Sequence, residues 1–220
     1  MTNASSRPNV LLVVAHPDHD SATWTITRAV EQGIQAEGTT DAVTHDLTAA
    51  GFDPVFTAAD LAVHRLRGEV PDDVRREQEL IESADVVALL FPVYWWSLPA
   101  LAKGWIDRVF SRRWAYENPA TESGSAVDEL HFLAIAGVGE GTYERRGYRE
   151  AAELQLRHGI AGYSQIATST LQFLYGSETD DPQTHQELAA QGYKLGADLA
   201  HRARSAFDHR ARSAFDLRLK

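Results

Sequence analysis

Two short runs without a polar residue most constrain what this chain can fold into: residues 10–15, VLLVVA, and residues 86–91, VVALLF. A strand with one wet face alternates. Six apolar residues in a row, rich in valine, suit a strand buried on both faces of a parallel sheet. The second run is followed by a helix pattern over residues 97–110. There Leu98, Leu101, Ala102, Trp105, Ile106 and Val109 fall on one face and leave Lys103, Asp107 and Arg108 for water. Ser97 is the expected N-cap, with Pro99 tolerated in the first turn. Between strand and helix lies Pro92-Val93-Tyr94-Trp95-Trp96, large rings where a loop is normally polar. At the end of a strand in an open α/β sheet, such a loop stands where ligands bind. An isolated aromatic pair is more often plain core. The uncharged stretch 86–102 has borderline length for a membrane span, and Pro92 and Pro99 interrupt it.

The rest of the chain alternates in the same way. A helix is expected over 21–37, capped by Ser21, with Ala22, Ile26, Ala29, Val30 and Ile34 on one face and Gly38 ending it. A weak strand (42–46), an irregular stretch around Gly51 and Pro54, and a helix (71–83) precede the central run. After it come a loop (117–128), a strand (131–136), a Gly-rich turn, a helix (149–158), a strand (166–174) and a helix (184–201). Strands alternating with helices predict a doubly wound parallel α/β sheet in one domain over residues 1–200. Residues 201–220 form an extension in which HRARSAFD occurs twice without change, at 201–208 and 209–216. Two octads are too few for a solenoid. The reading is a duplication without function, solvated rather than bound to an acidic partner.

Composition excludes several classes. A formal net charge of -10 argues against a nucleic-acid partner. No cysteine is present, so disulfides, thiolate metal sites and a cysteine nucleophile are ruled out, as suits a cytoplasmic protein. Residues 1–9 hold one arginine and no apolar h-region, so no signal peptide is expected.

Two strand ends carry residues with chemistry. The first runs into His16-Pro17-Asp18-His19-Asp20-Ser21-Ala22-Thr23, where free amides at a helix start, the His16 ring and the Ser21 and Thr23 hydroxyls suit an anion. There is no Gly-rich phosphate loop, and His16-x-x-His19 is weak evidence for a metal, so none is expected. The other is Ala136-Gly137-Val138-Gly139-Glu140-Gly141-Thr142-Tyr143, whose glycines permit close backbone approach to a ligand.

FPVYWWSLPALAKGWIDRVF (residues 91–110) resembles the hallmark segment of the NAD(P)H:quinone oxidoreductases of the flavodoxin-like superfamily, a group that includes ancillary flavoproteins of bacterial potassium efflux systems. AHPDHDSAT, DLTAAGFDPVFTAADL, REQELIESADVV and GVGEGTYERRGY extend the likeness over about the first 175 residues. The resemblance implies sheet order 2-1-3-4-5 and a flavin held by His16, Ser21, Ala22 and Thr23 at its phosphate and ribityl chain. Ala22 and Thr23 stand where Phe and Asn are usual. Gln78 matches a position near the phosphate side. Pro92, Val93, Tyr94, Trp95 and Trp96 would lie along the isoalloxazine. Ala136, Gly137 and Val138 match a Thr-Thr-Gly-Gly turn, with Tyr143 at the pyrimidine edge. A histidine that assists proton transfer in mammalian members is matched by Arg149, which leaves Tyr143, Tyr148 or water to deliver a proton. Tyr116 matches a substrate-contacting tyrosine, while Asn118 replaces the second tyrosine of that pair, and Trp95 of the flavin loop is also expected at the substrate.

The expected activity is two-electron, ping-pong hydride transfer from NADPH or NADH through FMN (alternatively FAD) to a quinone or similar flat aromatic acceptor. The resemblance further implies a homodimer with the site at its interface, and Trp105, Phe110 and Trp114 are candidates for the buried patch. The alternative of a different class is a regulatory flavoprotein docking on a membrane transporter, its redox activity secondary. The sequence does not choose between NADH and NADPH or name the acceptor.

Overall fold

The two apolar runs are the inner strands. In the computed structural model, which describes residues 7–121 and 125–218 and side chains as far as residue 212, β1 (Asn9–Val14) lies parallel to β3 (Val86–Pro92). Val10 faces Val86 and Val14 faces Leu90. β2 (Asp41–Asp46) pairs with the outer side of β1, β4 (Glu129–Ala136) with β3, and β5 (Thr168–Tyr175) with β4. All four pairings are parallel, in the order 2-1-3-4-5. The flavodoxin-like order that the resemblance implied is the one observed.

Alternation along each inner strand sends its side chains to two cores. Val10, Leu12, Val14, Val86, Ala88 and Leu90 face α1 (Ala22–Ala36) and α7 (Pro182–Arg218). Leu11, Val13, Val87, Leu89 and Phe91 face the other way, onto Ile81 of α3 (Asp72–Glu82) and Trp105 and Val109 of α4 (Ala100–Val109). Each such aliphatic contributes roughly 1.5–3 kcal/mol on burial, and truncating Leu89 to Ala at the centre would cost about 2–5 kcal/mol. On the first face α1 and α7 touch backbone to backbone. A Cβ on Gly196 would sit 2.0 Å from the Val30 carbonyl oxygen, so only glycine allows this crossing.

Several expectations are corrected. Thr57 and Asp60 form a reciprocal capping box that starts α2 (Ala58–His64) inside the stretch read as irregular. The Gly-rich turn after β4 becomes α5 (Glu140–Arg146), followed by α6 (Tyr148–Ala152) and a π-helical segment, Glu153–Gly162. Ser97 does not cap α4. Pro99 holds that position, and the Ser97 hydroxyl donates to Gln155 Oε1 at 2.8 Å. Arg108 does not face water. It is buried, with Nε on Asp60 Oδ2 at 3.1 Å and Nη1 on Asp73 Oδ2 at 2.7 Å and on the Asp53 carbonyl. Trp105 and Trp114 are spent inside the fold, donating to Glu77 and Glu82, and offer no surface patch. Only Phe110 of that trio is partly exposed.

α7 continues through both copies of the octapeptide. An eight-residue repeat turns about 80° around a helix, so equivalent residues reach different partners. Arg202 approaches Glu129, whereas Arg210 bonds Asp85 beside the start of β3. The expectation of no signal peptide concerns residues 1–9, of which 1–6 lie outside those described. Among the described residues no helix is long and apolar enough to cross a membrane.

Candidate functional site

The ring loop folds as a two-residue hairpin. Tyr94 and Ser97 exchange backbone hydrogen bonds of 3.1 and 3.0 Å, and Trp95 and Trp96 between them have φ of 50° and 64°. A turn of that kind normally takes Asn-Gly. Two tryptophans in the left-handed region store strain, which persists only where the surroundings hold it. Trp96 is held by stacking on Tyr148, with centroids 3.8 Å apart and planes 20° off parallel, and by an edge contact with Tyr143. Trp95 points outward and is 94 % exposed.

Trp95, Trp96 and Val93 form one side of a slot of about 210 Å³ at the carboxyl edge of β3 and β4. Gly137, Val138, Tyr143 and Glu178 form the other. The backbone defines its donors. Val93 N–H is spent on the Ile135 carbonyl and Tyr94 N–H on Ser97, whereas the Trp95 and Trp96 amides of this loop have no backbone acceptor among the described residues. The turn after β5 zips onto the one after β4 through Gly176 N–H to Val138 O, Ser177 N–H to Ala136 O and Glu178 N–H to Gly137 O. A Cβ on Gly137 would lie 2.5 Å from the Glu178 carboxyl carbon, so any larger residue there would push the Glu178 side chain out of its place over the turn. Glu178 is a charged group in the slot that sequence reasoning missed. Nothing near it in the sequence marks it, and only the pairing of two turns brings it in.

Tyr143 is buried at the back of the slot. Burial, and then the neighbouring Tyr175 phenol, push its pKa up to about 12. At neutral pH its hydroxyl therefore keeps its proton and serves as a hydrogen-bond donor. Arg149, exposed on α6, pairs with Glu140 at 3.1 Å rather than pointing freely into the slot.

The β1–α1 connection supplies the anion end. Ser21 caps α1, its Oγ accepting from Trp24 N–H, and Thr25 N–H bonds Ser21 O. Ala22 and Thr23 occupy the first two helical positions, whose amides have no intrahelical partner. Two other amides are taken: Asp18 N–H by His16 Nδ1 and Asp20 N–H by Asp18 Oδ1. His19 stacks on Trp24 and bonds Asp46 at 2.8 Å. Gln78 takes no part in either end. It is buried under α4, its Nε2 donating to the Val109 carbonyl and to Ser111 Oγ. Tyr116 lies in a second, larger concavity, where its hydroxyl meets His64 Nδ1 at 3.0 Å.

The structure thus brings Val93, Trp95, Trp96, Gly137, Val138, Tyr143 and Tyr148 together. Pro92 and Ala136 end the strands beneath them, Ser21, Ala22 and Thr23 start the neighbouring helix, and His16 lies in the connection that leads to it. A parallel 2-1-3-4-5 sheet with an aromatic slot at its carboxyl edge, beside a capped helix start, is the architecture of a flavodoxin-like protein. The flavodoxin-like fold family matches residues 8–195, and the chain belongs to it, within the NAD(P)H:quinone oxidoreductases; it is an oxidoreductase. An uncharacterised NAD(P)H oxidoreductase of Haemophilus influenzae is 29% identical over 193 residues, 83% of this chain and 93% of that one. The ribosyldihydronicotinamide dehydrogenase [quinone] of Pongo abelii is 30% identical over 170 residues, 70% of this chain and 68% of that protein. Among solved structures, the NAD(P)H:quinone oxidoreductase from Methanothermobacter marburgensis superposes with a TM-score of 0.79 at 23% identity, covering 87% of this chain and 95% of that one. An FMN-dependent NADH-azoreductase from Bacillus anthracis, in complex with FMN, gives 0.65 at 14% identity, with 87% and 99% covered.

Proposed function

We infer that the chain is a flavoprotein that takes hydride from NADPH or NADH and passes two electrons to a quinone-like aromatic acceptor in ping-pong order. The observation that carries this is the slot itself: ring walls on one side, glycine backbone on the other, and two unspent loop amides at its mouth. The residues fit a flat, polar-edged ring. Trp96, braced by Tyr148, offers an apolar face, and the Trp95 and Trp96 amides with the Tyr143 hydroxyl offer hydrogen-bond donors to the ring edge. The Ala22 and Thr23 amides suit a phosphate, against which the acidic Asp18 and Asp20 count. A flavin held there supplies the hydride-accepting and two-electron chemistry. This chain's residues exclude water from one ring face, fix the ring's orientation and keep a proton on Tyr143.

FMN is favoured over FAD, and a homodimer over a monomer. The relatives named for quinone and azo-compound reduction support the acceptor class. The test is an absorption spectrum of the purified protein during anaerobic titration with NADPH and then NADH, with the released cofactor weighed by mass spectrometry and the oligomer sized by light scattering. A yellow protein that bleaches and recovers on adding a quinone is the expected result. A colourless protein that takes up neither flavin overturns the reading.

A further inference from the structure

The two octapeptide copies have the same sequence and different surroundings. At the amino edge of the sheet, opposite the slot, a pit of about 30 Å³ opens between the starts of β3 and β4. Among the described residues it is lined by four carboxylates, Glu82, Asp85, Asp128 and Glu129, and by one cation, Arg210 of the second copy. Two of the carboxylates are engaged elsewhere: Glu82 accepts from the Trp114 indole at 2.7 Å, and Glu129 meets His131 Nε2 at 3.2 Å. Asp85 is the buried one, its side chain 2 % exposed. Its Oδ2 accepts from Asn9 N–H at 2.8 Å, which ties the starts of β1 and β3 together, and its Oδ1 accepts from Arg210 Nη2. Arg210 Nη1 reaches the Ala84 carbonyl at 3.5 Å. Burial, and then Glu129, push the Asp128 pKa up, and His209 beside Arg210 offsets part of that.

We propose that this pit is a guanidinium site filled by the chain's own Arg210, and that the second octapeptide is thereby a clasp on the amino edge of the sheet instead of a solvated tail. A carboxylate as buried as Asp85 needs a cation or further donors. A guanidinium suits it, because a flat fork of N–H groups serves the carboxylate oxygen and the neighbouring backbone carbonyl at once. The first copy shows what the second adds. Arg202, the equivalent of Arg210, lies 4.0 Å from Glu129, a carboxylate that His131 already serves. Arg204 pairs with Glu37 at the end of α1 at 3.1 Å, whereas its equivalent, Arg212, is exposed. The first octad therefore holds α7 to α1, and the second fastens it to the start of β3. The pit lies at the edge remote from the slot, so the proposal stands whether or not the reductase reading holds.

The test is hydrogen exchange by mass spectrometry over residues 205–212 of the purified full-length protein, with thermal unfolding alongside. R210A and D85N should each speed exchange of this segment about tenfold, the double variant should be no faster than either, and R202A should change it less than about twofold. Ethylguanidinium at about 1–30 mM should raise the melting temperature of R210A saturably, and leave the wild type and D85N/R210A unmoved. R210A and R202A change only the surface of α7, so they keep the test decisive if D85N does not fold. Exchange in R210A as slow as in the wild type, or additive effects of the two substitutions, overturns the clasp. A response to ethylguanidinium that is absent from R210A, or equal in R210A and D85N/R210A, overturns the site.

Discussion

Trp95 and Arg108 belong to the same strand-loop-helix, and each sits where its chemistry argues against it. The indole is 94 % exposed, while the guanidinium is 5 % exposed. The difference is in the partners. Arg108 has Asp60, Asp73 and the Asp53 carbonyl around it, and it lies 5.4 Å from the Phe52 ring centre. Trp95 has no aromatic partner among the described residues and stands on strained backbone. A buried charge whose bonds are met is architecture. An exposed ring that strain holds in place is kept for something outside the chain, and here it borders the slot.

Breaking the buried side should have the largest effect. Arg108→Met leaves two carboxylates without their cation and is expected to cost about 3–5 kcal/mol in urea unfolding, with the flavin spectrum of the folded protein unchanged. The acid limb of stability sharpens the same point. Burial alone would raise the Asp60 and Asp73 pKa values. Hydrogen bonds outweigh it, from Thr57 and then Arg108 on Asp60 and from Arg108 on Asp73, and both are lowered. Their contribution is therefore complete above the unfolded carboxylate value of about 4 and is lost as pH falls through the lowered folded values. Urea titrations across pH 2–5 should show this limb in the wild type and a much weaker one in Arg108→Met.

Breaking the exposed side should do the opposite. Replacing Trp95-Trp96 by Asn-Gly relieves two left-handed tryptophans and is expected to stabilise the fold by about 1–3 kcal/mol. Flavin affinity should meanwhile drop more than about tenfold, since the stacked wall is gone. Unchanged affinity would mean the rings are not part of the site. Tyr143 gives a test confined to alkali. With its folded pKa raised to about 12, it contributes stability that is whole below the unfolded value of about 10 and is lost as pH rises through 12. Absorbance at 295 nm should show this phenol ionising last, and Tyr143→Phe should remove that part of the alkaline unfolding limb. Ser97→Ala, which deletes the hydroxyl bond to Gln155 behind the hairpin, should cost the least, about 0.5–1.5 kcal/mol in thermal or urea unfolding.

The capping box at Thr57 and Asp60 was written in the chain, three residues apart, yet α2 carries too little apolar periodicity in its seven residues to announce itself. α5 was hidden by the glycines at its start. Such short helices gain their stability from what they pack on, and a local pattern carries no record of that. Gln78 shows the same limit at the site. On its own helix it reads as a surface amide, and only the approach of α4 gives it two buried acceptors.

The sequence by itself determined the five strands, the two-faced burial of the inner ones, the Ser21 cap and the ring loop at the end of β3, because each follows from periodicity or local bonding within a few residues. Tertiary structure decided which groups became a site. The pairing of the turns after β4 and β5 brought Glu178 over Gly137, the stacking of α6 on the hairpin fixed Trp96, and the meeting of α2 with residues 112–117 joined His64 to Tyr116. Contacts of that kind depend on how whole elements pack, and energies that arise between distant residues leave no local trace in the order of the chain.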